Sequence, residues 1–302
     1  MLYILQTALE LGFLYALVAM ALFLSYRVLD IADLTTDGGF VLGAAVSVTM
    51  AAAGHPILAV PAALIAGMAA GFVTAFLQTR LGVPSILAGI VTNTGLYTIN
   101  LMIMGWSANV SLLKTDTLFT LFHNTGIGGD WYEVVLAAFV TILAGILLVL
   151  FLKTRLGLSI RATGDNMDMV RASSINPAFT ITVGLCISNA LTALSGAMVG
   201  QYQNTADING GTGIVVIGLA CLIIGETILG RRTIIKGAIA SVTGSIIYRL
   251  IYAIVLYTKI VPVQGLRLIT AIVVALAIAF PTIKEWFAFQ KRKMAASRKG
   301  GN

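Results

Sequence analysis

The stretch Asp30-Ile31-Ala32-Asp33-Leu34-Thr35-Thr36-Asp37-Gly38-Gly39 lies between two apolar runs and places three carboxylates, two threonines and two glycines where a hydrophobic helix would otherwise continue. The run that follows, from Gly38 to Gly54, has only 17 residues, short of the roughly 20 that cross a hydrocarbon core. Non-helical backbone at membrane depth persists only where protein or enclosed water satisfies its N–H and C=O groups. Two readings follow. The stretch is the break in a discontinuous second helix, with Thr35 and Asp37 beside a translocation path, or it is a cytoplasmic turn in which Asp33 or Asp37 caps the next helix.

Both readings presuppose a membrane, and composition supplies it. Of 302 residues, 58% are hydrophobic and 10% charged, against roughly 25% charged in soluble domains. Apolar runs recur at 4–26, 38–54, 57–78, 83–105, 131–152, 178–200, 210–229, 236–258 and 263–283. The fold class is therefore all-α, a polytopic membrane protein of about nine transmembrane helices, eight to ten allowing for uncertain ends. Residues 1–289 form one transmembrane domain and 290–302 a basic cytoplasmic tail suited to anionic lipid. The first 26 residues lack a basic leader and read as a retained helix.

The net charge of +7 does not point to nucleic acid, because its carriers gather in a few connections. Arg27 and Arg80 follow the first and third spans, Lys153, Arg155, Arg161 and Arg171 the fifth, Arg231, Arg232 and Lys236 the seventh, and the tail the ninth. Alternating spans put all of them on one side, so the N-terminus lies outside and the C-terminus in the cytoplasm of a multi-pass plasma-membrane protein. Segment 106–130 is then an outer loop. Leu112, Leu113, Leu118, Phe119, Leu121 and Phe122 make it either a surface-lying amphipathic element or a cap packed over the helices.

Ala32-Asp33-Leu34-Thr35-Thr36-Asp37-Gly38-Gly39 before the second span is echoed by Ala206-Asp207-Ile208-Asn209-Gly210-Gly211 before the seventh. Those spans run in opposite directions, as inverted repeats require, with spans one to four matching six to nine. Repeats of this kind put the transport route between the halves, beside broken helices. A chance likeness of Asp- and Gly-rich turns is the other reading.

Polar rows mark helix faces. Asn93, Tyr97 and Asn100 share one face of the fourth span, and Ser188, Thr192 and Ser195 one face of the sixth. Such rows line a polar path or fasten helices together. The amide row is assigned to the path, since two buried amides need many partners, and the hydroxyl row to helix contacts. Arg249, in the middle of the eighth span, calls for a partner, and Glu226 and Asp37 are available.

Several chemistries are missing from the sequence. There is no phosphate-binding glycine-lysine loop, HExxH helix or GxSxG elbow. His55 and His123 are far apart, and Cys186 and Cys221 sit in apolar runs without metal-ligand spacing. No catalytic residue, metal site or cofactor is expected in this chain.

The longest cytoplasmic connection, 153–177, contains a polar segment from Asp165 to Ser174 that predicts a short helix, with Asp165 as its N-cap and Pro177 opening the next span. Met167, Val170, Arg171 and Ser174 would share one face, able to seat in a groove of a soluble partner.

Gly157 to Pro177, with Arg161-Ala162-Thr163-Gly164-Asp165-Asn166 and Ser174-Ile175-Asn176-Pro177, resembles the coupling loop of bacterial ATP-binding-cassette importer permeases that serve branched-chain amino acids, ribose and related sugars. The family's usual Gly-Ile-Asn ending has Ser174 in the glycine's place. Ala32 to Gly38 is similar to the family's Asp-Leu-Ser-Val-Gly pattern. The Asp33–Gly39 form and Gly225-Glu226-Thr227-Ile228-Leu229-Gly230-Arg231-Arg232 look like a branch described as tryptophan/tyrosine and other amino-acid permeases. The resemblance implies import of a small polar solute by alternating access through a permease dimer. ATP would be held and hydrolysed by separate ATPase subunits docked on the coupling helices, and an extracytoplasmic solute-binding protein would deliver the cargo. A stand-alone ion-coupled carrier, a sugar or nucleoside permease, and a membrane scaffold are the rival readings.

Overall fold

The computed structural model describes residues 2–112, 115–124, 126, 129–230, 233–258 and the isolated positions 271, 272, 275 and 279. Helix α1, Leu2–Leu22, runs on through a π-helical turn at Phe23–Val28. It is followed by α2 Thr36–Ala52, α3 Pro56–Thr79 and α4 Ser85–Ile103. Strand β1, Asn109–Ser111, and α5, Leu118–His123, lead into α6, Tyr132–Lys153. Then come α7 Arg155–Asp165, α8 Met167–Ala172, α9 Pro177–Gln203, β2 Thr205–Asp207, α10 Ile214–Leu229 and α11 Ile234–Thr258.

Six of the described helical segments are long and apolar enough to cross a membrane, and α2 and α10 are shorter apolar helices. These eight match eight of the nine expected spans. The ninth, 263–283, and the tail lie outside the described residues except for the four isolated positions. Helices α1 and α9 form the centre, with 72% and 67% of an 18-residue apolar stretch in each span buried. Helix α6 leaves Phe139, Ile142, Leu143, Ile146, Leu147 and Leu150 uncovered, as a lipid-facing helix does.

Between lipid-soluble helices the hydrophobic effect supplies no net attraction, so close contact and interhelical hydrogen bonds hold the bundle. The hydroxyl row of the sixth span does this. Ser188 Oγ donates to the Ala21 carbonyl at 2.8 Å and Ser195 Oγ to the Leu14 carbonyl at 2.7 Å, fastening α9 to α1. Between α2 and α9 the backbones approach so closely that a Cβ on Gly43 would overlap the Ala193 carbonyl, and one on Gly196 the Phe40 carbonyl.

The pairing of helices bears on the repeat. Helix α9 packs most extensively against α3, and α1 against α11. With α1 matched to α9 and α3 to α11, each half's first span holds the other half's third, the reciprocity a twofold relation between inverted halves demands. The echoed stretches also fold alike. The Thr35 N–H donates to Asp33 Oδ1 at 2.9 Å, and the Asn209 N–H to Asp207 Oδ1 at 2.8 Å, the same Asx turn in both.

The outer segment is a packed cap. Leu112 and Phe119 are buried, and the Phe119 ring stands edge-on to Tyr202 at 5.7 Å. Thr117 closes a capping box at the start of α5. An unexpected antiparallel ribbon, with Val110 opposite Ala206, ties this cap to the loop before α10. Gly43→Val is expected to cost about 3 kcal/mol through overpacking, read as a lower thermal unfolding midpoint in detergent; an unchanged midpoint would show that α2 and α9 can separate.

Candidate functional site: two broken helices and the cavity where they meet

With 17 residues in α2 and 16 in α10, each helix is only about 25 Å long, less than the roughly 30 Å of a hydrocarbon core. Neither is long enough to cross alone, and the two beginnings meet. Asp37, in the first turn of α2, reaches across to α10 and accepts from the Gly213 N–H at 3.1 Å and the Val215 N–H at 2.9 Å. Next to it, Asn100 Nδ2, from α4, donates to the Gly38 carbonyl at 3.2 Å. A carboxylate is placed where two helix N-termini present partial positive charge, each worth up to about 2 kcal/mol in partly buried settings.

The segment entering α2 is largely buried non-helical backbone, as the broken-helix reading expects. Leu29, Ile31, Asp33 and Thr35 are all buried. Several of the segment's polar groups are paired: the Leu29 N–H donates to the Leu24 carbonyl, the Ile31 N–H to the Ser25 carbonyl, and Thr36 Oγ1 to the Asp33 carbonyl. Asp37 does cap a helix, but α10 and not its own.

Four of the five path residues expected from sequence surround one cavity of about 400 Å³. Asp37 and Gly38 form its α2 side, Asn93, Tyr97 and Asn100 its α4 side, and Asn209, Gly211 and Thr212 the side contributed by the loop before α10. Tyr97, 51% exposed, stands at its open edge. Thr35 does not line it: it is fully buried and turned to α3, where its Oγ1 lies 2.8 Å from Thr74 Oγ1 and anchors the entering segment.

Pattern reading missed the amides of α9 that hold the break and the helices around it. Asn189 Nδ2 donates to Asp33 Oδ2 at 2.7 Å, binding the segment to α9. Gln201 Nε2 donates to Ser47 Oγ and to the Pro56 carbonyl, while its Oε1 receives the Leu118 N–H. Single amides in apolar helices, outside any row, were the available signal. Arg249 is a correction: Glu226 pairs with Arg27 at 3.0 Å and Asp37 is taken by α10. Among the described residues, no group of His, Cys, Asp and Glu could hold a metal ion.

The connection after α6 folds as two short helices, not one from 165 to 174. Asp165 closes α7, and Asn166 caps α8, its Oδ1 accepting from the Met169 N–H at 3.0 Å. Met167, Met169 and Arg171 are exposed, whereas Val170 is fully buried and pins α8 to the protein. Val170 is therefore not available to a partner on the face shared with Met167 and Arg171. Ser174 lies beyond the helix with φ of +60°, a left-handed conformation that glycine adopts without penalty.

Two outcomes are expected. Asp37→Ala, which orphans two partly buried N–H groups, is expected to destabilise the chain by about 2 kcal/mol, and Asp37→Asn by roughly half that, as read by thermal unfolding; equal midpoints would mean the contact has no weight. Ser174→Gly is expected to raise stability by about 0.5–1 kcal/mol, detectable in the same melt.

The chain was also compared with known proteins. Residues 4–282 match the family model described as branched-chain amino acid transport system / permease component. The tyrosine transport system permease protein of Clostridioides difficile is 35% identical over 86% of this chain and 85% of its own length. An uncharacterized protein of Rickettsia prowazekii is 34% identical over 91% of this chain and 97% of its own. The autoinducer 2 import system permease protein LsrC of Yersinia enterocolitica is 30% identical over 59% of this chain and 48% of its own.

Proposed function

The chain belongs to the family of permease components of branched-chain amino acid transport systems, a membrane transport component and not an enzyme, and on that premise we propose that it carries an amino acid, aromatic in the first instance, into the cell by ATP-driven alternating access. The observation that carries this reading is the cavity at the meeting of the two broken helices. Its volume of about 400 Å³ is within the range of small-molecule sites. Its lining combines amide and phenol groups with a single carboxylate, Asp37, already held by two backbone donors. Weak neutral hydrogen bonding suits a path that must release its cargo. The tyrosine permease relative supports an aromatic solute.

The partners follow from two surfaces. Helix α8 offers Met167, Met169 and Arg171 to solvent around the buried Val170, a short rigid knob for an ATPase groove. Helix α4 exposes Thr94, Tyr97 and Thr98 beside the open cavity. Polar groups facing lipid are costly, so a second copy covering α4 completes the path in a homodimer. An extracytoplasmic binding protein would deliver the solute to the outer cap. The cytoplasmic side would be the one carrying Arg27, Arg155, Arg161 and Arg171, and a ninth span would return the C-terminus to it.

Pull-down of the tagged chain from bacterial membranes in mild detergent tests the reading. A stoichiometric ATP-binding protein is expected, and it should be lost when residues 165–174 are scrambled. Met167→Arg is expected to lower coupled tyrosine uptake about tenfold while ATP hydrolysis continues. A chain that purifies alone and moves tyrosine in liposomes would replace this reading with that of an ion-coupled carrier.

A further inference from the structure

Arg249 lies in α11 about 22 Å from its start and 14 Å from its end, well inside a membrane-crossing segment. It is 9% exposed. Its guanidinium stacks on Tyr15, with Cζ 3.7 Å from the ring centroid, and Tyr252 lies at 5.8 Å. Nε has no hydrogen-bond partner, and among the described residues no carboxylate lies within ion-pair distance of the group. A cation–π contact returns about 2 kcal/mol when desolvated, whereas a charge at this depth costs at least about 2.5–3.5 kcal/mol. The stack does not repay the burial, and an anion would.

The space for one is present. Arg249, with Tyr15, Tyr248 and Tyr252, borders an open cavity of about 440 Å³ lined on other sides by the loop before α10, at Gly210 and Thr212–Ile214, and by Ala271. Thr212 lines this cavity and the Asp37 cavity alike, so the loop before α10 is a thin wall between the two. One chamber holds a carboxylate and amides, the other a guanidinium among aromatic rings.

We propose that Arg249 is a binding residue for an oxyanion, the carboxylate of the transported solute, which its tyrosine-lined chamber receives. The inference rests on the amino-acid reading above and adds to it a named carboxylate subsite. Arg249 also borders an apolar groove with Leu11, Leu256 and Tyr257 toward the outer ends of α1 and α11, so a lipid phosphate offers the same chemistry from a different source. The enclosing rings and the shared wall with the Asp37 cavity favour the solute.

Thermal unfolding of the purified full chain in detergent tests this with four probes: L-tyrosine, tyramine (the same ring and ammonium without the carboxylate), sodium acetate and phosphatidylglycerol. L-Tyrosine is expected to raise the wild-type midpoint and tyramine to leave it unchanged. Arg249→Gln is expected to weaken the tyrosine effect about 30-fold in concentration, and Arg249→Lys about tenfold, since an ammonium cannot replace the planar fork. Should the glutamine variant not fold, the lysine variant carries the comparison. A tyrosine shift that is the same in wild type and variant overturns the proposal, as does the absence of any Arg249-dependent shift from tyrosine or acetate. An Arg249-dependent shift from phosphatidylglycerol alone overturns it in favour of a lipid anchor. None of these outcomes bears on ATPase co-purification, which reads the importer assignment separately.

Discussion

A helix that starts inside a membrane leaves its first N–H groups without water, and such groups cost several kcal/mol each when unpaired in hydrocarbon. Here the beginnings of two short helices, α2 and α10, meet, and Asp37 answers that need for α10. It lies in the first turn of one helix and accepts two amide hydrogens from the other. Much of the surrounding architecture follows from keeping this carboxylate in place. The buried segment before it is held by Asp33 and Asn189 on one side and by Thr35 and Thr74 on the other. The loop it meets is held by the ribbon to the outer cap.

This arrangement separates rigid from adaptable parts. Helices α1 and α9 are fastened by serine-to-carbonyl bonds and buried over most of their length. Around them, the Asp37 cavity is bordered by backbone and by a single face of α4, which makes few contacts elsewhere and is largely uncovered. A path that opens alternately to two sides needs such a division, since close-packed interiors switch between arrangements and do not deform gradually.

Sequence reading recovered what depends on composition and periodicity. The spans, the interruption at Asp30–Gly39, its echo at Ala206–Gly211 and the amide row at Asn93, Tyr97 and Asn100 are all properties of neighbours along the chain. It did not recover what depends on which helices meet. Thr35 and Asp37 are two residues apart and equally polar, yet one faces α3 and the other α10, a distinction made by packing. Asp165 was read as a cap because Asp and Asn are alike at that position, and the neighbouring Asn166 took the role. Arg249 was assigned a carboxylate by charge alone, while Glu226 had a nearer cation in Arg27.

The short helix α7 lies against the chain just before the break. A Cβ on Gly164 would overlap the Val28 carbonyl, and Thr163 Oγ1 meets Thr180 Oγ1 of α9 at 2.8 Å. Between Val28 and Thr36 the chain is non-helical and is held by the hydrogen bonds of Asp33 and Thr35. Helix α7 thus joins, like a rivet through two plates, the entry to the break at Val28 and the central helix α9 at Thr180, so neither can shift without the other.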